Sequence, residues 1–494
     1  MTKLCVCSGC VQGVARQGGE AVAVRLGSPT VQQPQAQLDG FKSRALQSEA
    51  SAQRHLYLTE WHSLDAAAAQ SSATLAIGHA TWTAECERLS SKASRHELAA
   101  EVGGGARAVI ALAAATQRAA LARHAPFALE LVLALVQTQA AIASPPALRL
   151  LTQATQATGR PEHAGSWGLA RSAREEASLR VQCVDGAAAS ALAHRWTPAE
   201  PEVVMGLDGV VVPRLVRAPE VAPVLTAPAA AAQLVTGGTG GLGLLTARWM
   251  AQRGAAARAL VLASRSGVLA RDSAGEWAAV LASNVGTRVR RCDATEGALV
   301  GRLVAHGTGA ACAMGVWHAA GVLADGVLPR QTADALARAC APKAHGAWAL
   351  HRACTTALLS ACALFSSTAA LLGGAGQANY SAANACLDAL APCCHARARV
   401  ATSVQWGAWA EVGMAARGAA AERMAAMEAA SGFGRIGLAH GLDALHAAVL
   451  PLSPPLVGMM PVRWGRVASD GAVPTFLTSM VTPTLMQRAS AAPA

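Results

Sequence analysis

The sequence predicts an α/β protein built on parallel sheet, and three observations carry that reading. Short apolar runs alternate with helical stretches from Leu56 onward, the alternation restarts after an Ala/Pro stretch at 218–231, and the second series has a glycine-rich turn directly between a strand and a helix. A chain of 494 residues holds two to four folded units at roughly 100–200 residues each. Hydrophobic residues make up 52% and charged residues 14%, a composition that buries a core and excludes disorder.

In order along the chain, residues 1–50 carry Gln, Gly and Ser with weak periodicity and read as an N-terminal extension or linker. The first α/β series takes 51–228: a strand from Leu56, a strand at 74–77, a helix at 86–101, strands at 108–112 and 129–136, and a helix around 116–123. Gly103, Gly104 and Gly105 precede a strand, the wrong order for a phosphate loop. A turn at Asp208–Gly209, Pro213 and the Ala/Pro stretch mark the boundary near 228. The second series takes 229–468: strands at 233–236, 259–263, 288–292, 313–319 and 361–366, and helices from Leu242, around 333–355 and over 380–398. Residues 469–494 read as a flexible tail.

The formal charge of +11 is scattered, and aromatics are only 4%, so a basic stacking surface for nucleic acid is not expected. No apolar run reaches the roughly 18 residues of a membrane span. Thirteen cysteines, an odd number without repeated C-x-x-C pairs or a signal peptide, fit a reducing, cytoplasmic setting, with organelle import left open. Cys5, Cys7 and Cys10 lack a second half-site, so no metal is expected.

The turn Thr236-Gly237-Gly238-Thr239-Gly240-Gly241-Leu242-Gly243 stands between a strand and a helix. Glycines admit positive φ and close approach of a pyrophosphate, and the free N–H groups of the helix start meet its charge. An acid at the end of the next strand would bond a ribose 2′-OH; here stand Ser264 and Arg265, and a guanidinium matches a 2′-phosphate, which favours NADPH. Asp293, past the following strand, is placed to bond the adenine and equally to cap its own turn.

Of only two tyrosines, Tyr57 and Tyr380, the second opens a helix with Asn384 one turn on. Ser367 lies thirteen positions upstream at a strand end, and Lys343 a further twenty-four upstream on the long helix. The segments Phe365-Ser366-Ser367 and Gly373 to Asn384 closely resemble the active-site stretch of the ketoreductases of modular polyketide synthases, in the short-chain dehydrogenase/reductase superfamily. Leu56 to Trp61, Trp167 to Ser172, Val212 to Leu215, His318 to Leu323 and Trp406 to Trp409 resemble that family's landmarks in the same order, over roughly 56–468.

The resemblance implies two Rossmann-like halves, a cofactor-free structural one and a catalytic NADPH-binding one with a doubly wound parallel sheet. It implies a Lys343–Ser367–Tyr380–Asn384 tetrad, with Ala319, Ala320 and Gly321 beside the cofactor. Tyr380 would give a proton, its pKa lowered by the Lys343 ammonium; Lys343 would also hold the ribose; Ser367 would orient the carbonyl and Asn384 a water. Strand alternation turns Ser366 to the face opposite Ser367. Trp61, Trp167, Trp406 and Trp409 read as packing residues.

The implied substrate is a 3-ketoacyl chain on the phosphopantetheine arm of an acyl carrier protein, in polyketide or fatty-acid-like biosynthesis, with other synthase domains as further partners. B-type members carry Leu-Asp-Asp where this chain has Leu323-Ala324-Asp325, and A-type members a Trp at the position of Leu372. With Asp325, Leu372 and Gln377 as stereocontrol residues, the expected product is the D-3-hydroxyl. Ala444 stands where a carrier-protein site would need serine, and Gly78-His79-Ala80 lacks a transferase nucleophile. A reductase of free ketones and an inactive docking scaffold are the rival readings.

Overall fold

The computed structural model describes residues 10–17, 21–27, 36–42, 55–64, 74–77, 87–89, 109–113, 121–156, 161–186, 200–206, 209–219, 230–253, 257–270, 273–307, 313–413, 428, 431–469 and 473–481. The chain divides into two compact units, Met1–Ser51 and Ala52–Ala494. The first holds a three-stranded antiparallel sheet of β1 (Cys10–Gln17), β2 (Ala21–Gly27) and β3 (Ala36–Lys42). Pairs such as Val14↔Val24 and Val22↔Phe41 set its register, within the stretch read from sequence as an extension or linker.

The second unit is built on one sheet that holds fifteen strands among the described residues. Its first-half strands are β4 (Leu56–Leu64), β5 (Thr74–Ile77), β6 (Glu87–Leu89), β7 (Val109–Ala113), β8 (Ala147–Thr152), β9 (Val181–Asp185), β10 (Glu202–Gly206) and β11 (Gly209–Arg217). Helices α1 (Leu121–Ala140) and α2 (Ala164–Ala177) accompany them. The second half follows with β12 (Ala230–Thr236), α3 (Gly241–Gln252), β13 (Ala257–Ser264), α4 (Ala274–Ala282), β14 (Gly286–Arg291), α5 (Gly297–Gly307) and β15 (Met314–His318). It continues through α6 (Ala333–Cys340), a π-helical turn Ala341–His345, α7 (Gly346–Ala353), β16 (Leu359–Ser367), α8 (Thr368–Leu372) and α9 (Ala378–His395). It closes with β17 (Thr402–Trp406), α10 (Leu438–Ala448), β18 (Leu456–Met459) and α11 (Trp464–Ser469).

Strand order across the sheet is β14-β13-β12-β15-β16-β17-β18-β4-β11-β10-β9-β8-β7-β5-β6. The run from β14 to β18 is parallel throughout, which requires crossovers and covers both faces; hence every residue of β15 is buried. Edge strand β14, Gly-Thr-Arg-Val-Arg-Arg, is charged and mostly exposed, as an unpaired edge demands. The halves meet where β18 pairs antiparallel with β4, Gly458 opposite Tyr57 and Met459 opposite Leu56. Beside this seam Trp464 Nε1 donates to the Tyr57 hydroxyl at 3.1 Å.

Three sequence expectations change. The run 129–136 is the middle of helix α1, not a strand: a short apolar stretch has no period that separates the two, and Ala, Leu and Glu outnumber β-branched residues there. Val132, Leu133, Leu135 and Val136 are buried in one core with Trp167 and Leu169 of α2. Within the expected helix 86–101, Glu87–Leu89 is a strand paired in parallel with β5, and residues 90–101, like 103–105 and 116–120, lie outside the described residues. The expected loose tail packs as far as Val481, because Leu477, Met480 and Val481 bury against Tyr57 and Leu215. Trp167, Trp406 and Trp409 are core residues, and Trp61 packs partly buried against the core.

Candidate active site

Strand order reverses between β13-β12 and β15, so the crevice beyond the carboxyl ends of β12 and β15 is where an open α/β sheet accepts a ligand. The glycine-rich turn lies there. Gly237 takes φ +71°, and a Cβ on it would stand 2.7 Å from the Ala320 nitrogen; one on Gly243 would stand 2.3 Å from the Gly237 carbonyl. The turn therefore packs against Ala319–Ala320 on one side and its own helix on the other. Gly240 caps α3 without a side chain, which leaves the first-turn amides open to an anion. Thr239 is buried, and Gly238 and Gly241 keep the turn free of side-chain bulk. The donor set fits a dinucleotide pyrophosphate.

At the end of β13, the Ser264 hydroxyl accepts from the Gly267 amide at 3.1 Å, and Arg265 is exposed. Asp293 Oδ1 accepts from the amide and hydroxyl of Thr295 at 3.0 and 2.9 Å, so it caps its own turn.

Lys343 comes from the π-helical turn, which the proline at 342 accompanies; such turns put an extra residue into a helix and re-aim a side chain. It is 4% exposed, its Nζ donates to the Phe365 carbonyl at 2.7 Å, and it lies 5.4 Å from the centre of the Tyr380 ring. Burial pulls its pKa down to about 8, against the Asp388 carboxylate, which raises it. A Cβ on Gly321 would stand 2.9 Å from Lys343 Cε.

Ser367 ends β16 and caps α8, its hydroxyl accepting from the Ala369 amide at 3.2 Å. Ser366 faces the other way, its hydroxyl donating to the Asn384 carbonyl at 3.3 Å. Tyr380, in the first turn of α9, is partly buried. Burial raises its pKa, hydrogen bonds from Asn384 and Ser367 lower it, and the Asp325 carboxylate raises it. Burial prevails, so the phenol stays protonated to higher pH, contrary to the expected net lowering by Lys343. Asn384 is fully buried; its Nδ2 donates to the Tyr380 carbonyl at 2.9 Å, and its Oδ1 meets no partner among the described residues.

Gln377 Nε2 donates to Asp325 Oδ2 at 3.3 Å, so these two residues meet at the loop mouth. Leu372 lies apart from them, packed against the cluster of Tyr57, Leu215 and Leu371.

Two residues beside the site carry no sequence-level assignment. His318 Nε2 donates to the Lys343 carbonyl at 3.0 Å, a partner that can only accept; its Nδ1 then accepts from the Thr236 hydroxyl at 2.7 Å. Burial pushes its pKa down to about 4, so it is a neutral strut between β12, β15 and the π turn. Asp388 stands two turns beyond Tyr380, in the row 380, 384, 388. It accepts from Ser403 Oγ at 2.7 Å and Gln405 Nε2 at 2.8 Å, and burial raises its pKa. That i, i+4, i+8 spacing was the available signal for it.

A family profile described as KR domain matches residues 231–411. Polyketide synthase GfsA of Streptomyces halstedii is 37% identical over 332 residues, 64% of this chain and 4% of the relative; GfsB of the same organism is 46% identical over 191 residues, 39% of this chain and 3% of the relative. The chain thus spans only a few per cent of the length of these synthases. Among solved structures, A-type ketoreductases from a modular polyketide synthase superpose with a TM-score of 0.78 at 26% identity, over 89% of this chain and all of theirs. A C2-type ketoreductase gives 0.71 at 26%, over 86% and 99%.

Proposed function

We infer that the chain is a ketoreductase of the modular polyketide synthase kind, with the short-chain dehydrogenase/reductase fold, and from that premise that it reduces a 3-ketoacyl thioester on an acyl carrier protein to the 3-hydroxyacyl thioester with NADPH. One observation carries the reading. Lys343, Ser367 and Tyr380 reach the carboxyl ends of the central strands from three separate segments, with Asn384 one turn beyond the tyrosine.

When bound, NADPH supplies the hydride that goes to the carbonyl carbon. The displaced electron pair collects on the carbonyl oxygen, which the Ser367 hydroxyl holds by a hydrogen bond. Tyr380 transfers its phenolic proton to that oxygen, which leaves the alcohol and a phenolate. Its raised pKa keeps the proton in place at neutral pH until the oxygen becomes basic. The Lys343 ammonium stabilises the phenolate across the ring face, and Asn384 Oδ1, open and buried, holds the water that returns the proton. The amides of Gly241 to Gly243 would hold the pyrophosphate, Arg265 the 2′-phosphate, and Asp293 the adenine through its remaining oxygen.

We assign the outcome to the B-type, a D-3-hydroxyl, because Asp325 is present and leucine stands at 372. A-type and C2-type structures alike share this fold, so the choice rests on those two residues. Cys183, Cys292, Cys340, Cys354, Cys362 and Cys394 carry no disulfide, which suits a reducing cytoplasm, and none of the described helices is long and apolar enough to cross a membrane.

The decisive assay follows NADPH consumption with a carrier-bound or N-acetylcysteamine 3-ketoacyl thioester, and the chirality of the product. Tyr380→Phe is expected to lose about 10²–10⁴-fold in kcat with NADPH affinity within about twofold. Turnover of Tyr380→Phe equal to wild type would sink the assignment, and a mainly L product would sink the B-type reading.

A further inference from the structure

Helix α2, in the half that carries no glycine-rich turn, sends Glu176 between two loops of the other half. Its Oε1 accepts from the Leu328 amide at 2.5 Å and its Oε2 from the Gly376 amide at 2.8 Å. These are the loops of Asp325 and Gln377, and they also touch each other through Gly326 N donating to Gly376 O at 2.9 Å. Leu323 and Val327, on either side of Asp325, are 40% and 49% exposed, so the Asp325 turn itself is not buried and its nearest core anchor is the fully buried Leu328. Beyond that anchor, hydrogen bonds fix the register of this turn against the Gly376 loop, and one carboxylate accepts an amide from each.

We propose that Glu176 is a positioning residue that sets the stereochemical outcome of reduction, by locking the Asp325 and Gln377 loops in one register against Tyr380. The proposal rests on the ketoreductase reading of the site. A carboxylate suits the task because two amide donors converge on it, and only a group that accepts on both sides satisfies both. Neighbouring side chains work in the same sense: Ser172 Oγ accepts from the Gly374 amide at 3.2 Å and donates to Ser381 Oγ at 2.8 Å, and Gln137 Nε2 donates to the Leu328 carbonyl at 2.8 Å. Both substrate loops are therefore held from outside the half that holds the proposed proton donor.

The test compares wild type with Glu176→Ala and Glu176→Gln, reading product enantiomer ratio, NADPH affinity and hydrogen exchange at the Leu328 and Gly376 amides. In Glu176→Ala the minor enantiomer is expected to rise about tenfold and the Gly376 amide to exchange at least about tenfold faster, with NADPH affinity within about twofold. Glu176→Gln, of the same length but with a donor facing one loop, is expected to fall between the two and carries the test should the alanine variant not fold. An unchanged enantiomer ratio in a folded variant, or unchanged exchange at both amides, overturns the proposal. If wild type turns over no 3-ketoacyl thioester, the ketoreductase reading falls instead, and the exchange rates alone decide whether Glu176 clamps the loops.

Discussion

His318 is held neutral by burial between a threonine hydroxyl and the carbonyl of Lys343, and that places a titration inside the half that carries the glycine-rich turn. Its folded pKa, about 4, lies below the ordinary 6.5, so the unfolded chain takes up the proton first as pH falls. The contribution is complete above pH 6.5 and is lost between 6.5 and about 4, a loss of about 3 kcal/mol for the buried group. Urea midpoints measured across that window are expected to fall for wild type and to fall less for His318→Gln; parallel curves would assign the acid sensitivity elsewhere. At this scale the meeting of Lys343, Ser367, Tyr380 and Asn384 was expected from the resemblance of the segments that carry them, and the fold does bring them together. Glu176, His318 and Asp388 were not legible in the sequence, since each acts through a partner that only folding brings near, apart from the helical row that ties 388 to 380. Nor was the net rise in the Tyr380 pKa, which depends on how deeply the phenol is buried.

Helices α2 and α9 lie so close that a Cβ on Gly168 would stand 2.3 Å from the Ser381 carbonyl oxygen. Neither backbone can yield without shifting the helix that carries Tyr380. Gly168→Ala is accordingly expected to destabilise the protein by about 2–3 kcal/mol and to lower kcat more than it weakens NADPH binding. Thermal unfolding and steady-state kinetics on the same preparation check both parts, and a silent substitution would contradict the packing. Elements with a clear period or a flanking glycine were readable, as with β12 and α3. Helix α1 was not, because its run Val132–Val136 is buried at every position and so shows no polar face to reveal its period. The π turn at Lys343 is equally silent in sequence, since a proline within a helix signals a break and not which residue it re-aims.

For the whole molecule, the doubled α/β plan was legible from alternation, but the continuous sheet was not, since nothing in either half announces that β18 will pair with β4. The same seam recruits the C-terminal segment: Leu477, Met480 and Val481 close over Tyr57 and Leu215. Deleting residues 470–494 is expected to cost about 2–5 kcal/mol, read as a lowered urea midpoint, because three buried apolar side chains leave water-exposed partners behind. A truncated chain as stable as the whole would show that this packing contributes nothing. The seam also fixes a timetable for the nascent polypeptide. Once β11 has docked on one flank of β4, the other flank must wait for residues 458 and 459 to leave the ribosome, about 10–50 s later at ordinary elongation rates. Throughout that interval the newborn protein exposes a sticky strand that other nascent chains could capture, which makes β4 the place where chaperone protection during synthesis matters most.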